Sequence, residues 1–301
     1  MSLNNQMLLA TKSGEVELRR ADGTGYLHVW PRIEADEHTK FYREDFYGPE
    51  HFAKAELEID YWREFWNLRR ERIEEALGTP PANRPLRILD VGCAGGFFLE
   101  SFRSKGWHVE GVEPSITAVE YARSRFGLDV TLGTLEELEL GESFDAVHCS
   151  LVLEHLSDPD FAVERMRDFL RPGGVLFVEC PNEFNALQLA VRDQLHKESW
   201  WINPAHHLNY FDYDSLSKLL ADHGLDEVER LATFPMEMFA LMGSDYIGNN
   251  EVGLACHKQR MQFERNLIAA GGGETLVDMY RALADTGLGR TCSVLARRTE
   301  R

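Results

Sequence analysis

Three groups of side chains in this sequence could do chemistry on a small ligand. The stretch "RILDVGCAGGFFLE" (87–100) sets Asp90 two residues before Gly92, where an apolar run breaks into Cys93, Ala94, Gly95 and Gly96. Small residues in such a turn let the backbone approach a ligand closely. Glu113 follows about twenty residues later, at the end of a second apolar run. "VLEHL" puts His155 beside Glu154, and "WWINPAHHLNYF" (200–211) gathers Trp200, Trp201, His206, His207 and Tyr210. Histidine is the commonest group for taking a proton from a reacting hydroxyl.

The glycine turn discriminates between ligands. A dinucleotide fingerprint would need glycines at 92, 94 and 97, but 94 is Ala and 97 is Phe. A pyrophosphate site wants helix N–H groups and positive potential. The fixed carboxylate of Asp90 opposes both and suits a cation instead, so hydride transfer from a nicotinamide is disfavoured.

The elements that must position these residues alternate along the chain. Strands are expected at "LRILDVG", "HVEGVEP", "DVTLGT", "FDAVHCSLV" and "GVLFVECP", with two more at "DEVERLATF" and "GRTCSVLARR". Helices are expected at "GFFLESFRSKG", at "SITAVEYARSRFG" with Ser115 as N-cap, at "FAVERMRDFLRPGG", and at "DYDSLSKLLADHG" with Asp212 as N-cap. Near-continuous apolar strands between helices imply an α/β fold, a doubly wound, mostly parallel seven-stranded sheet covered on both faces. Ahead of it, residues 1–12 are expected to be poorly ordered, "EVELRRADGTGYLHVW" (15–30) reads as a hairpin, and one helix is expected from about Glu50 to Leu77, ended by Gly78. The domain reading is therefore a hairpin and helical lid over 1–80 and a core over 81–301. A helical insertion at 236–287 precedes the last strand.

Composition excludes other classes. Hydrophobic content of 44% and charged content of 27% suit a globular chain of 301 residues. A net charge of −18 argues against a nucleic-acid surface or an anionic membrane as partner. No apolar run is long enough to span a bilayer. The cysteines at 93, 149, 180, 256 and 292 form no CxxC pair, which points to a reducing, cytoplasmic setting.

"LDVGCAGG" resembles the first motif of the class I methyltransferases that depend on S-adenosylmethionine (SAM). "VEGVEPS", "GTLEEL" (133–138), "FDAVHCSLVLEHLSDP" (144–159) and "LRPGGVLFVECPN" (170–182) resemble that family's further motifs in order. The resemblance covers about residues 84–234 and the final strand, and it implies the Rossmann-like fold of that family. It implies SAM as cofactor and S-adenosylhomocysteine as product. It further implies that Asp90 faces the positive methionine end and that Gly92, Cys93, Ala94, Gly95 and Gly96 meet the cofactor. Glu113 would take the ribose, Pro114, Thr134 and Leu135 would flank the adenine, and Ser150 and Leu151 would lie near the sulfonium. Two positions depart from the pattern. Ala94 replaces a glycine and is expected to keep an ordinary backbone conformation, and Thr134 stands where an acid is common.

The acceptor is less legible. The expected reaction is O-methylation of a small polar molecule, a sugar or related metabolite, with His155 or His207 as base. Tyr47, Asn182, Trp201, His206 and Tyr210 are the candidate acceptor contacts, although the aromatics would equally serve as a core plug. N- or C-methylation and non-catalytic SAM binding are the alternatives. Glu154, His155, His206 and His207 resemble the metal site of RNA 3′-terminal ribose methyltransferases. Those carry a further Glu where this chain has Leu151, so no metal is expected. The 236–287 stretch is read as a substrate cap or a homodimer contact.

Overall fold

The computed structural model describes residues 6–11, 14–32, 35–44, 46–141 and 144–299. It opens with β1 (Gln6–Thr11), β2 (Gly14–Arg20) and β3 (Leu27–Trp30), followed by α1 (Ala35–Glu44), α2 (Pro49–Leu57) and α3 (Ile59–Leu77). The alternating part comprises β4 (Arg87–Val91), α4 (Phe97–Arg103), β5 (His108–Glu113), α5 (Ile116–Phe126), β6 (Val130–Leu132) and β7 (Phe144–Ser150). After a 3-10 turn at Leu153–His155 come α6 (Pro159–Phe169), β8 (Leu170–Pro181), α7 (Ala186–Gln194), β9 (Asn209–Tyr210), α8 (Tyr213–Asp222) and β10 (Leu225–Ala232). The chain closes with α9 (Glu237–Leu241), α10 (Asn250–Ala269), α11 (Gly273–Asp285) and β11 (Thr291–Arg298). No helix among the described residues is long and apolar enough to cross a membrane.

Seven strands form one sheet in the order β10-β11-β8-β7-β4-β5-β6. β4 pairs in parallel with β5 on one side and β7 on the other. The chain thus winds outward from β4 through β5 to β6 and then returns to β7, so strand order reverses between β4 and β7. In such sheets that reversal opens a crevice beyond the strand carboxyl ends, where ligands bind. β4 and β7 are buried along almost their whole length, as strands covered on both faces must be.

The chain divides into two compact units. One comprises 34–178, 219–228 and 295–301. Its core packs Ile73 and Ala76 of α3, Phe98 and Phe102 of α4, Ile88 of β4, Val109 of β5 and Ala146 of β7. Ser115 caps α5 by accepting from the Ala118 N–H, and Gly78 ends α3 at a positive φ of 74°. The expected single helix is two, parted at Glu58, whose carboxylate instead accepts from the Trp62 indole at 3.3 Å.

The other unit comprises 1–33, 179–218 and 229–294. It holds a four-stranded sheet in the order β1-β2-β3-β9. β2 and β3 are the expected hairpin, paired Arg20↔Leu27. The expectation of disorder over 1–12 is corrected for residues 6–11, which form β1 and pair with β2. Residues 1–5 and 12 lie outside the described part. Leu18, Leu27, Val29, Trp201, Ile202 and Tyr210 make the core of this unit.

Candidate functional site

The site begins at the carboxyl ends of β4, β5 and β7. Asp90 and His148 are register partners on β4 and β7. Their side chains meet there, with His148 Nδ1 donating to Asp90 Oδ1 at 2.6 Å. Arg69 of α3 donates through Nη1 to the other imidazole nitrogen, Nε2, at 2.8 Å. All three side chains are buried.

The turn that follows β4 is built on left-handed residues. Gly92 has φ +71°, and a Cβ there would overlap Val152 Cγ2. Ala94 has φ +47°, which corrects the expectation of an ordinary backbone at this position. The reason lies in its N–H, which donates to Glu113 Oε2 at 2.9 Å. That bond offsets part of the cost an L-residue bears in this region. Gly95 sits under two rings, where a Cβ would come to 2.8 Å from Phe52 and 3.1 Å from Tyr121. Cys93 is buried, and burial first, then Asp90 and Glu113, push its thiol well above the usual range.

Glu113 ends β5. Its other oxygen, Oε1, accepts from the Ser115 N–H at 3.0 Å. Burial pushes its pKa up to about 7, against the two N–H bonds that favour the carboxylate, with the Asp90 charge adding to the rise. Pro114 links Glu113 to the Ser115 cap. On the β6 side, the Thr134 N–H donates to Glu137 Oε2 at 3.0 Å, and Leu135 is buried. Ser150 closes β7, and Leu151 turns left-handed at φ +57° with 46% of its surface exposed.

The N-terminal helices bring aromatic groups to the same ends. Tyr42 Oη lies 2.9 Å from His155 Nδ1, and Glu154 Oε1 lies 3.8 Å from His155 Nε2. Burial, then the Glu154 charge, raises the Tyr42 phenol above its usual range. Arg43 pairs with Glu137 at 2.8 Å. Tyr47 is half-buried, and desolvation of its hydroxyl, then the Glu113 charge, raises the phenol above its usual range. Rings stack onward from Tyr47 to Phe52 and from Phe52 to Tyr121. Sequence reasoning selected Tyr47 from this segment but missed Tyr42 and Arg43. It also missed Arg69 and His148, which read as an ordinary helix residue and a strand residue. Helical spacing that puts an arginine among apolar positions of α3 was the available signal.

The remaining candidates lie in the other unit. His207 Nδ1 stands 3.8 Å from Glu183 Oε1, and its ring lies 6.3 Å from that of Tyr210. Burial pushes Glu183 up to about 8, partly opposed by Arg290. His206 is half-buried beside His207. Trp201 and Tyr210 belong to the core of this unit, and Phe184 packs edge-on against Trp201. Asn182 spends its amide N–H groups on the carbonyls of Gly287 and Gly289, at 3.0 and 3.2 Å. Glu183, which sequence reasoning did not select, is thus brought to His207, whereas Asn182, Trp201 and Tyr210 are engaged in packing.

Chemically, the first unit offers a buried carboxylate for a cation, a second carboxylate suited to a diol, and an imidazole between a phenol and an acid. The model of the methyltransferase domain family matches residues 61–230. The ubiquinone biosynthesis O-methyltransferase of Chelativorans sp. is 34% identical over 173 residues, 54% of this chain and 68% of that protein. The enzyme of the same name from Mesorhizobium japonicum is 37% identical over 133 residues, 40% of this chain and 53% of that protein, so the chain spans about half of this relative. Among solved structures, the Burkholderia thailandensis 1,6-didemethyltoxoflavin-N1-methyltransferase shares the fold at a TM-score of 0.51, with 15% identity, 95% of this chain and 96% of that one covered. A Haloferax volcanii methyltransferase complex with the Trm112 activator has a TM-score of 0.52 at 15% identity, covering 89% of this chain and 100% of that one. The chain belongs to the methyltransferase domain family, and it is a class I methyltransferase that uses SAM as its cofactor.

Proposed function

We propose that this enzyme transfers the methyl group of SAM to a hydroxyl of a small polar acceptor, a sugar or related metabolite, with His155 as the base. One observation carries the reading: the His155 imidazole sits just beyond β7, with Nδ1 2.9 Å from the Tyr42 hydroxyl. A hydroxyl at hydrogen-bond distance from the ring is the contact a hydroxyl acceptor would make to its base. The names of the two curated relatives, both O-methyltransferases, support a hydroxyl as acceptor.

The residues at the glycine turn fit SAM. Asp90 would face its positive methionine end, and Glu113, whose oxygens keep lone pairs beyond the two N–H bonds, would take the ribose hydroxyls. Gly92, Cys93, Ala94, Gly95 and Gly96 would line its path. Pro114, Thr134 and Leu135 would flank the adenine, and Ser150 and Leu151 the reacting end. When bound, SAM supplies an electrophilic methyl group. His155 would take the acceptor proton as the oxygen attacks, and Glu154 at 3.8 Å would favour the positive charge the ring gains. Aligning the acceptor supplies much of the remaining rate. His207, beside Glu183, is the second candidate for the same role, and Tyr47, Asn182, Trp201, His206 and Tyr210 remain the proposed acceptor contacts.

Residues 1–80 as a lid over a core of 81–301, and 236–287 as a cap or homodimer contact, belong to the same proposal. A cytoplasmic enzyme without a nucleic-acid partner is also part of it, resting on the cysteine spacing and the net charge of −18. The test is transfer of a tritiated methyl group from SAM to sugars, sugar nucleotides and catechols. Methylated sugar product that His155→Ala abolishes without loss of SAM binding supports the reading. Methylation of catechols alone would replace the sugar with a phenolic acceptor. Transfer undiminished in His155→Ala would remove His155 as base.

A further inference from the structure

We infer that Arg69 and His148 are positioning residues that keep Asp90 anionic and fixed toward the SAM cation. The inference rests on the reading of Asp90 as the carboxylate that faces the methionine end. Arg69 lies on α3, His148 on β7 and Asp90 on β4, and they form one line of two hydrogen bonds, at 2.8 and 2.6 Å.

The chemistry of the line fixes its protons. A guanidinium only donates, so His148 Nε2 must accept from Arg69. The ring therefore carries its proton on Nδ1, which donates to Asp90. A second proton on the imidazole would have to enter at Nε2, where Arg69 already points. His148 is thus held as a neutral imidazole. The consequence falls on Asp90. Beside an imidazolium it would be half of a neutral ion pair and would attract a sulfonium or ammonium weakly. Beside a neutral imidazole it keeps its whole negative charge and is steered by one firm bond.

Packing holds the line in place. Phe98 of α4 stacks on the His148 ring with centroids 3.8 Å apart and planes 15° apart, and Phe177 of β8 stacks at 5.4 Å and 16°. The Arg69 guanidinium lies 4.2 Å over the Phe177 ring, a cation–π contact. Among the described contacts, Arg69 from α3 and Asp90 from β4 meet the two ring nitrogens of His148, and Phe98 and Phe177 stack on its ring. A buried polar line of this kind is costly unless every bond is made. A strand pair that needed only packing would carry valine at 148.

The experiment is calorimetric titration of the full-length protein with SAM between pH 6 and 8. Asp90→Ala should weaken binding at least tenfold. His148→Gln keeps an acceptor for Arg69 but cannot reach Asp90, and it should lose about tenfold. His148→Asn places an amide N–H where Nδ1 stood, and it should recover most of that loss. Both substitutions remove the stacked ring equally, so the difference between them reports the Asp90 bond. Arg69→Met frees Nε2, so its affinity should fall more steeply than that of wild type as pH drops from 8 to 6. Glu113 titrates in both proteins, and the difference between their profiles removes it. In wild type, 15N NMR should show His148 protonated on Nδ1 alone across this range, a readout that does not depend on any variant folding. If Asp90→Ala weakens binding while His148→Gln and Arg69→Met bind with wild-type affinity and pH profile, the line is packing only and the inference is overturned. If Asp90→Ala itself binds normally, the reading of Asp90 fails, and the inference with it.

Discussion

The pH dependence of nucleoside binding tests the ribose assignment directly. Burial pushes Glu113 up to about 7, outweighing the two backbone N–H bonds to its oxygens. A ribose diol offers two O–H donors, and only the carboxylate accepts both. If binding requires the ionised form, the apparent Kd rises by the inverse of the ionised fraction. At pH 8 about nine-tenths of the groups are ionised, and at pH 6 about one-tenth. The expected ratio of Kd values is then about tenfold, or about 1.4 kcal/mol. SAM itself is a poor probe, since its α-amino group also titrates and its charge responds to Asp90. 5′-Methylthioadenosine carries the same adenine and ribose with neither charge. Its Kd, measured by calorimetry at half-unit steps from pH 5.5 to 8.5, should fall about thirtyfold over that range, about tenfold of it between pH 6 and 8, and level off above pH 8. Glu113→Gln should bind weakly and with a flat profile. A flat profile in the wild type would refute the argument, for it would mean that Glu113 is ionised throughout or does not meet the ribose.

Other perturbations probe other links. Gly92→Ala places a methyl group against Val152 at a left-handed position and should cost about 2–4 kcal/mol in urea unfolding. Asp145, at the start of β7, accepts two bonds from Arg84, at 2.6 and 2.7 Å, two from Arg171, at 3.0 and 3.1 Å, and one from the Arg87 N–H, at 2.8 Å. Asp145→Ala should cost roughly 2 kcal/mol, less than a fully buried pair because Arg84 and Arg171 keep 33% and 28% of their side chains exposed. SAM affinity should not change. Burial alone would raise the Asp145 carboxyl, but the bonds from Arg84, Arg87 and Arg171 prevail and hold it below the usual range. Its contribution should therefore be complete at neutral pH and lost only as acid takes the pH below about 4, read as a steeper acid limb in wild type than in Asp145→Ala. Tyr42→Phe should alter the pH profile of kcat while leaving the SAM Kd within about twofold, since the Tyr42 hydroxyl bonds to His155; an unchanged profile would detach the phenol from the proton path.

What the sequence disclosed and what it withheld divide by the range of the interaction. β4, β5 and β7 were legible because strands buried on both faces read as apolar runs, and Ser115 was legible because a cap acts over three residues. The turn after β4 and the acid that ends β5 were legible because each follows from a strand end and its first residues. Pairing across the chain was not. β9 is two residues long, and nothing in "HLNYF" announces that Tyr210 pairs with Leu27. Tyr42 meets His155, and Arg69 meets His148, across 113 and 79 residues. Periodicity marked the stretch of α2 and α3 as helical without saying which face meets which strand end, and α1, which carries Tyr42, was not marked. The backbone of Ala94 shows the same limit at short range. An alanine in a glycine's place invites an ordinary φ, but the bond that holds it at +47° comes from Glu113, nineteen residues away on the next strand. The residue type was local information, while the conformation was decided by a partner that only the folded sheet supplies.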